Sequence, residues 1–237
     1  MDKLKIRPQP TETACGPTCL EAVYRYFGDP AEVETIIAEV ESVKRGGTLA
    51  VVLGIHALQR GYSAKIYTYN LHVFDPTWFN PIPLSTEELK EKLRKQIEVK
   101  SSQKLRFACK HYLEFLNLGG TIAMEDICHR LITKYLKQGV PILTGLSSTY
   151  LYMAAREYVL DGTIKAIVDD VKGYPEGHFV LIQSYDTQTG MVKIMDPYEK
   201  NPYSKDLTYS ISLDHLQTAI MLGVLTYDAN MLMLSKK

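Results

Sequence analysis

Four residues have the types and spacing for nucleophilic chemistry. Gln9 lies six residues before Cys15, and Cys15 opens an amphipathic stretch that reads as a helix to about Phe27, stopped by Gly28-Asp29-Pro30. Pro17 suits the first helical turn, where a missing N–H costs nothing. Leu20, Val23, Tyr24 and Phe27 then recur at helical spacing. A thiol at a helix N-terminus sits in the positive end of the macrodipole, which favours thiolate. Gln9 is far enough upstream for its side-chain amide to curl back over the sulfur and donate to an oxyanion. Far downstream, Gly177-His178-Phe-Val-Leu-Ile-Gln-Ser-Tyr-Asp186 reads as a strand that begins with a histidine. A turn to Gly190 follows, then a partner strand that ends in Asp196-Pro197. In such a hairpin His178 and Asp196 lie at the same end of the sheet, so the acid can hold the imidazole by its Nδ1–H. Nucleophile, base and orienter then come in the chain order Cys, His, Asp. Asp186 competes for the third role but ranks lower, because it lies at the far end of the His178 strand.

At these residues the chain resembles the papain-like cysteine peptidases of the bacteriocin-leader-processing type, cysteine peptidase family thirty-nine and its stand-alone relatives. The matching pieces are Gln9 with Cys15-Gly16-Pro17-Thr18-Cys19-Leu20, Gly46-Gly47-Thr48-Leu49 before a helix, Gly177-His178-Phe179-Val180, and Asp196-Pro197. They cover the N-terminal quarter and a segment near the C-terminus. Roughly residues 71 to 172 match no pattern of the family. The resemblance implies Gln9 for the oxyanion hole, Cys15 as nucleophile, His178 as base and Asp196 as orienter. Family members that process bacteriocins are fused to an exporter. No membrane or nucleotide-binding segment is read here, so double-glycine leader specificity is not implied.

Each piece also has a plain reading. Cys-Gly-Pro can be a buried cysteine before a helix, Gly-His-hydrophobic a strand whose histidine caps a sheet edge, and Asp-Pro a common turn starter. Their order and their helix and strand contexts favour the chemical reading.

The chain has 237 residues, with 46% hydrophobic and 23% charged, which is ordinary for a globular domain. The formal net charge is +0, so electrostatics gives no case for nucleic acid or an anionic membrane. No apolar run reaches transmembrane length. Met-Asp-Lys-Leu-Lys-Ile-Arg lacks the apolar core of a secretory signal. The four cysteines show no Cys-x-x-Cys spacing. A cytoplasmic location is expected, because Cys15 must stay free and reducing compartments keep thiols so. Signal-independent export stays open.

The elements needed to bring these residues together run helices first and strands later. Helices are expected over Glu32 to Val43, Leu49 to Gln59 (capped by Thr48), Thr86 to Val99, Gln103 to Leu118, Met124 to Gln138 and Asp214 to Met221. Strands are expected over Ser63 to Tyr69, Pro141 to Leu146, the two about His178 and Asp196, Ile211 to Leu213, and from Val224 onward. This predicts an α+β, papain-like, two-lobed single domain, 1–237. An N-terminal helical lobe would carry the nucleophile helix and a C-terminal antiparallel sheet lobe the histidine, with a helical insertion at about 75–140. The stretch from Tyr150 to Glu176 is weakly patterned and reads as a loop or lid over the cleft.

Other reactive side chains read as structural. Cys19, one turn after Cys15, reads as a buried small residue. Cys109, His111, Cys128 and His129 lack metal-ligand spacing, so no metal and no cofactor is expected. His56 reads as a packed core histidine. Asp169, Asp170 and Glu176 read as a solvated acidic loop that would favour basic substrate residues. Sixteen tyrosines against one tryptophan is a notable excess, read as packing or as a substrate groove. The function expected is hydrolysis of a peptide or isopeptide bond, with a peptide or protein as partner. The alternatives are acyl transfer by the same nucleophile, or a non-catalytic peptide-binding module on the same fold. The oligomeric state is not legible.

Overall fold

The computed structural model describes residues 3–40, 47–160 and 166–236. Three helices come first: α1 (Cys15–Tyr26), α2 (Val33–Glu39) and α3 (Ala50–Gln59), followed by strand β1 (Tyr62–Thr68). An antiparallel-looking pair in sequence, α4 (Thr86–Val99) and α5 (Gln103–Asn117), leads to β2 (Thr121–Ala123), α6 (His129–Lys137) and β3 (Ile142–Ser147). A short helix α7 (Ser148–Leu151) and a small hairpin, β4 (Glu157–Val159) and β5 (Ala166–Val168), precede β6 (Gly177–Asp186). Then come β7 (Met191–Met195), β8 (Thr208–Ser212), α8 (Leu213–Leu222) and β9 (Asn230–Lys236).

Seven strands form one sheet in the order β2-β1-β9-β3-β6-β7-β8. Every pairing is antiparallel except β1 with β2. The side-chain period of two explains how the sheet is covered. On β6, Phe179 and Leu181 join a core with α1 to α5, whereas Val180 and Ile182 join a second core with α6, α7 and α8. Likewise on β9, Leu232 and Leu234 face the first core and Met231 and Met233 the second. With both faces buried, the central strands need no polar side, and they read as nearly unbroken apolar runs.

The sequence signals for helix ends hold where side chains cap. Ser85 and Glu88 form a reciprocal capping box at α4, and Ser102 caps α5. Thr48 does not cap α3: its N-cap is Leu49, with no side-chain cap bond. The methyl of Thr48 packs instead beside Gly16. The expected helix from Met124 begins only at His129. The expected helix to Val43 ends at Glu39, and its last residues lie outside those described. The expected C-terminal strand begins at Asn230, after a 3-10 turn over Gly223–Thr226. The region 150–176 is not one loop, since it holds the β4–β5 hairpin. The helices of the second face, α6 to α8, complete an α+β fold whose first face carries α1 and Cys15.

Candidate active site

Cys15 is the first residue of α1, after the N-cap Ala14, which makes no side-chain cap bond. The first amides of a helix have no intrahelical acceptor, so the start of α1 presents N–H donors beside the thiol. Pro17 removes one N–H, and Thr18 closes the turn by bonding the Ala14 carbonyl through both its amide and its hydroxyl. Gly16 lets this turn press into the core. A methyl there would lie 2.8 Å from the Thr48 methyl, 3.1 Å from Leu53 and 3.3 Å from the Phe179 ring. The Cys19 thiol, one turn on, donates to the Phe179 carbonyl at 3.4 Å. The beginning of α1 is thus docked on the beginning of β6, the strand that carries His178. Cys15 itself keeps 9% exposure, enough to be met from solvent.

His178 is buried, and its Nε2 lies 2.8 Å from Asp196 Oδ1. Cys15 lies near the same ring and acts on it to favour its charged form. With Nε2 engaged by the acid, Nδ1 is the nitrogen left for the thiol. This reverses the ring assignment expected from the sequence, in which Nδ1 met the acid. Burial alone would favour the neutral ring. The charges of Cys15 and Asp196 and their hydrogen bonds outweigh burial and push the imidazole up to about 10.

Asp196 is fully buried. Its Oδ1 also accepts the Tyr198 amide at 2.9 Å, an Asx-type turn that the following Pro197 shapes. Its Oδ2 accepts two phenols, Tyr152 and Tyr209, each at 2.7 Å. Burial works against the carboxylate charge, but the His178 charge and these donors hold the carboxyl below the usual range. Gln9 is tied to the same place by its backbone, whose N–H donates to the Pro197 carbonyl at 2.9 Å. Its side-chain Nε2 donates to the Thr11 carbonyl at 2.9 Å. That bond uses one of the two amide protons, and Oε1 is buried with no partner among the described residues.

The Peptidase_C39 like family model matches residues 1–218. The chain belongs to that family. Among solved structures, this C39-like chain is similar to the peptidase domain of Streptococcus ComA, a bi-functional ABC transporter involved in a quorum-sensing pathway. The two are 12% identical with a TM-score of 0.45, and 99% of each chain is covered. A putative C39-like peptidase from Bacillus anthracis is 12% identical at a TM-score of 0.45, covering 100% of this chain and 96% of its own. Xylellain, a cysteine protease from Xylella fastidiosa, is 13% identical at a TM-score of 0.42, covering 98% and 83%. No curated protein matches.

The remaining reactive residues of this C39-like chain are structural in the geometry. Asp186 stands away from His178 and binds the β6–β7 turn through the Gln188 amide and the Thr189 hydroxyl. His56 is buried as expected and bridges Tyr24 (2.8 Å) and Glu39 (2.9 Å), which joins α1, α2 and α3. His215 bonds the Leu151 carbonyl at 2.9 Å. His72 stacks on Tyr227. Cys109 is buried, and burial pushes its thiol up to about 11. Among the described residues no three His, Cys, Asp or Glu side chains converge to hold a metal. None of their helices is long and apolar enough to cross a membrane. Tyr198 and Tyr209 carry no signal in the sequence beyond the tyrosine excess, and Tyr152 only its place among the tyrosines before His178, read as packing or a groove.

Proposed function

We propose that this chain is a thiol-dependent hydrolase that cleaves a peptide or isopeptide bond. The observation that supports it is one imidazole with the Cys15 thiol on one side and the buried Asp196 carboxylate on the other. His178 Nδ1 takes the Cys15 proton, which leaves the sulfur as the nucleophile. The sulfur attacks the substrate carbonyl carbon, and the carbonyl electron pair moves onto oxygen. The Cys15 N–H and the free proton of the Gln9 amide donate to that oxyanion. When it collapses, the C–N bond breaks and the leaving nitrogen takes the proton from His178 Nδ1. This leaves a thioester and a neutral imidazole. Water then gives a proton to Nδ1 as its oxygen attacks the thioester, and the C–S bond breaks to restore thiolate and imidazolium. Asp196 keeps the ring in one orientation throughout and stabilises its charged form.

A screen of peptide and amide libraries against wild type and Cys15→Ala tests this reading. Turnover is expected in wild type and none above background in the variant. Equal turnover in both would end it. The ratio of acid to amide product in the presence of an added amine divides hydrolysis from acyl transfer, since a hydrolase sends its acyl-enzyme mainly to water and a transferase mainly to the amine.

A further inference from the structure

Asp196 is the least replaceable group of the site, and its surroundings exceed what a His–Asp pair needs. It is wholly buried, so water cannot complete its hydrogen bonding. Four donors from separate parts of the chain do so: His178 Nε2 from β6, the Tyr198 amide after β7, Tyr152 just past α7, and Tyr209 from β8. The two phenols share Oδ2, and both bonds are short at 2.7 Å, as charge-assisted O–H···O⁻ bonds are. Burial and the nearby Asp196 charge push both phenols well above their ordinary range, so the protons stay on the tyrosines and the donation has one direction.

We propose that Tyr152 and Tyr209 are positioning residues that fix the Asp196 carboxylate as the orienter of His178. This rests on the hydrolase reading above. The geometric argument is simple. With Oδ2 saturated by two phenols, only Oδ1 is left for the imidazole. Rotating the carboxylate would break both phenol bonds together with the ring bond. Two hydroxyls that merely filled the core would not need to converge on one oxygen. Tyr152 also stands beside the ring it serves, 6.1 Å from the His178 centroid, with Tyr198 at 6.2 Å on another side. The other ionisable groups that act here are Cys15 and Cys19 from α1, Tyr198 and Tyr203 in the loop after β7, the latter 4.8 Å from the Tyr209 ring, and Asp228 before β9, which acts on His178. None of these is a hydrogen-bond donor to Oδ2 in the geometry.

Tyr152→Phe and Tyr209→Phe remove one hydroxyl each and keep the ring that packs. Two readouts separate positioning from packing. Carbon-13 NMR of aspartate-labelled protein gives the Asp196 titration midpoint, with Asp196→Asn identifying the signal. Iodoacetamide labelling of Cys15 across pH, read by mass spectrometry, gives the acid limb of thiol reactivity. Each variant should raise the Asp196 midpoint by about one pH unit, the worth of one hydrogen bond to a charged group. The acid limb of Cys15 labelling should rise with it, because a protonated Asp196 no longer holds the imidazolium. Tyr203→Phe, which removes a bond to the Leu151 carbonyl rather than to Asp196, should move neither. Unmoved midpoints would overturn the proposal, and so would raised midpoints with an unmoved limb. If wild-type Cys15 labels no faster than the other cysteines, the hydrolase reading falls instead. The Asp196 midpoints then still decide whether the phenols hold the carboxylate.

Discussion

Gln9 carries the sharpest test at the scale of single residues. Its backbone is fixed to Pro197, one residue past Asp196, while its amide keeps one proton unspent. Losing one oxyanion donor costs roughly 10²–10³ in turnover. Gln9→Ala should lose about that factor with little change in Tm, because the side chain adds little packing. Near-wild-type turnover in a substrate assay would remove Gln9 from the chemistry. Cysteine labelling is a second test. Burial pushes the Cys19 and Cys109 thiols up, so iodoacetamide at neutral pH should modify Cys15 well before either. Asp228 supplies a third. It is buried, with one oxygen unpartnered among the described residues, and burial raises its carboxyl to about 7 despite a Thr226 hydrogen bond and the Lys104 charge. A folded-state value above the unfolded one means that the native state binds the extra proton. Stability from this group is therefore complete at low pH and is lost as pH rises from about 4 to about 7. Asp228→Asn should raise Tm at pH 8 and give no gain at pH 4. The grouping of Cys15, His178 and Asp196 was legible because residue type and order carry it. The phenols were not, since 44 and 13 residues separate Tyr152 and Tyr209 from Asp196, and no local period links them.

Among the elements, β6 bears the strictest local demand. A methyl at Gly177 would lie 2.1 Å from Asp228 Oδ2 and 2.7 Å from Thr226 Oγ1. Gly177→Ala should therefore displace the start of β6 or the Asp228 turn, at a cost on the order of 1–3 kcal/mol. Because His178 is the next residue, turnover should fall more than the loss of stability alone explains. Urea unfolding and kinetics on the same sample check both. The long helices α4 and α5 were legible from their length and spacing, and in the structure Ser85 with Glu88 and Ser102 cap their beginnings. Strands β2, β4 and β5 were not, because three residues are too few to show a period. The first turn after Ala123 looked helical by pattern, yet α6 waits until His129.

For the whole molecule, the sequence separated helices from strands but not the two faces of the sheet. Facing requires knowing that β1 and β9, far apart in the chain, are neighbours between β2 and β3. Covering both faces has a measurable result. Leu181 and Ile182 are adjacent, point to opposite cores and are both fully buried. Leu181→Ala and Ile182→Ala should each cost about 2–5 kcal/mol in chemical denaturation. A sheet with one wet face would make one of them nearly silent. The order of the strands also places β8 at the rim, paired on one side only, with β7. Tyr209 belongs to that rim strand, and its hydroxyl is one of the four donors to Asp196. Fraying at a sheet margin precedes global melting. On warming, Asp196 should lose one of its donors while the central strands remain protected from hydrogen exchange. Loss of the Asp196 arrangement would then run ahead of the calorimetric transition, so the temperature limit of the site would be set by the outermost strand rather than by the core.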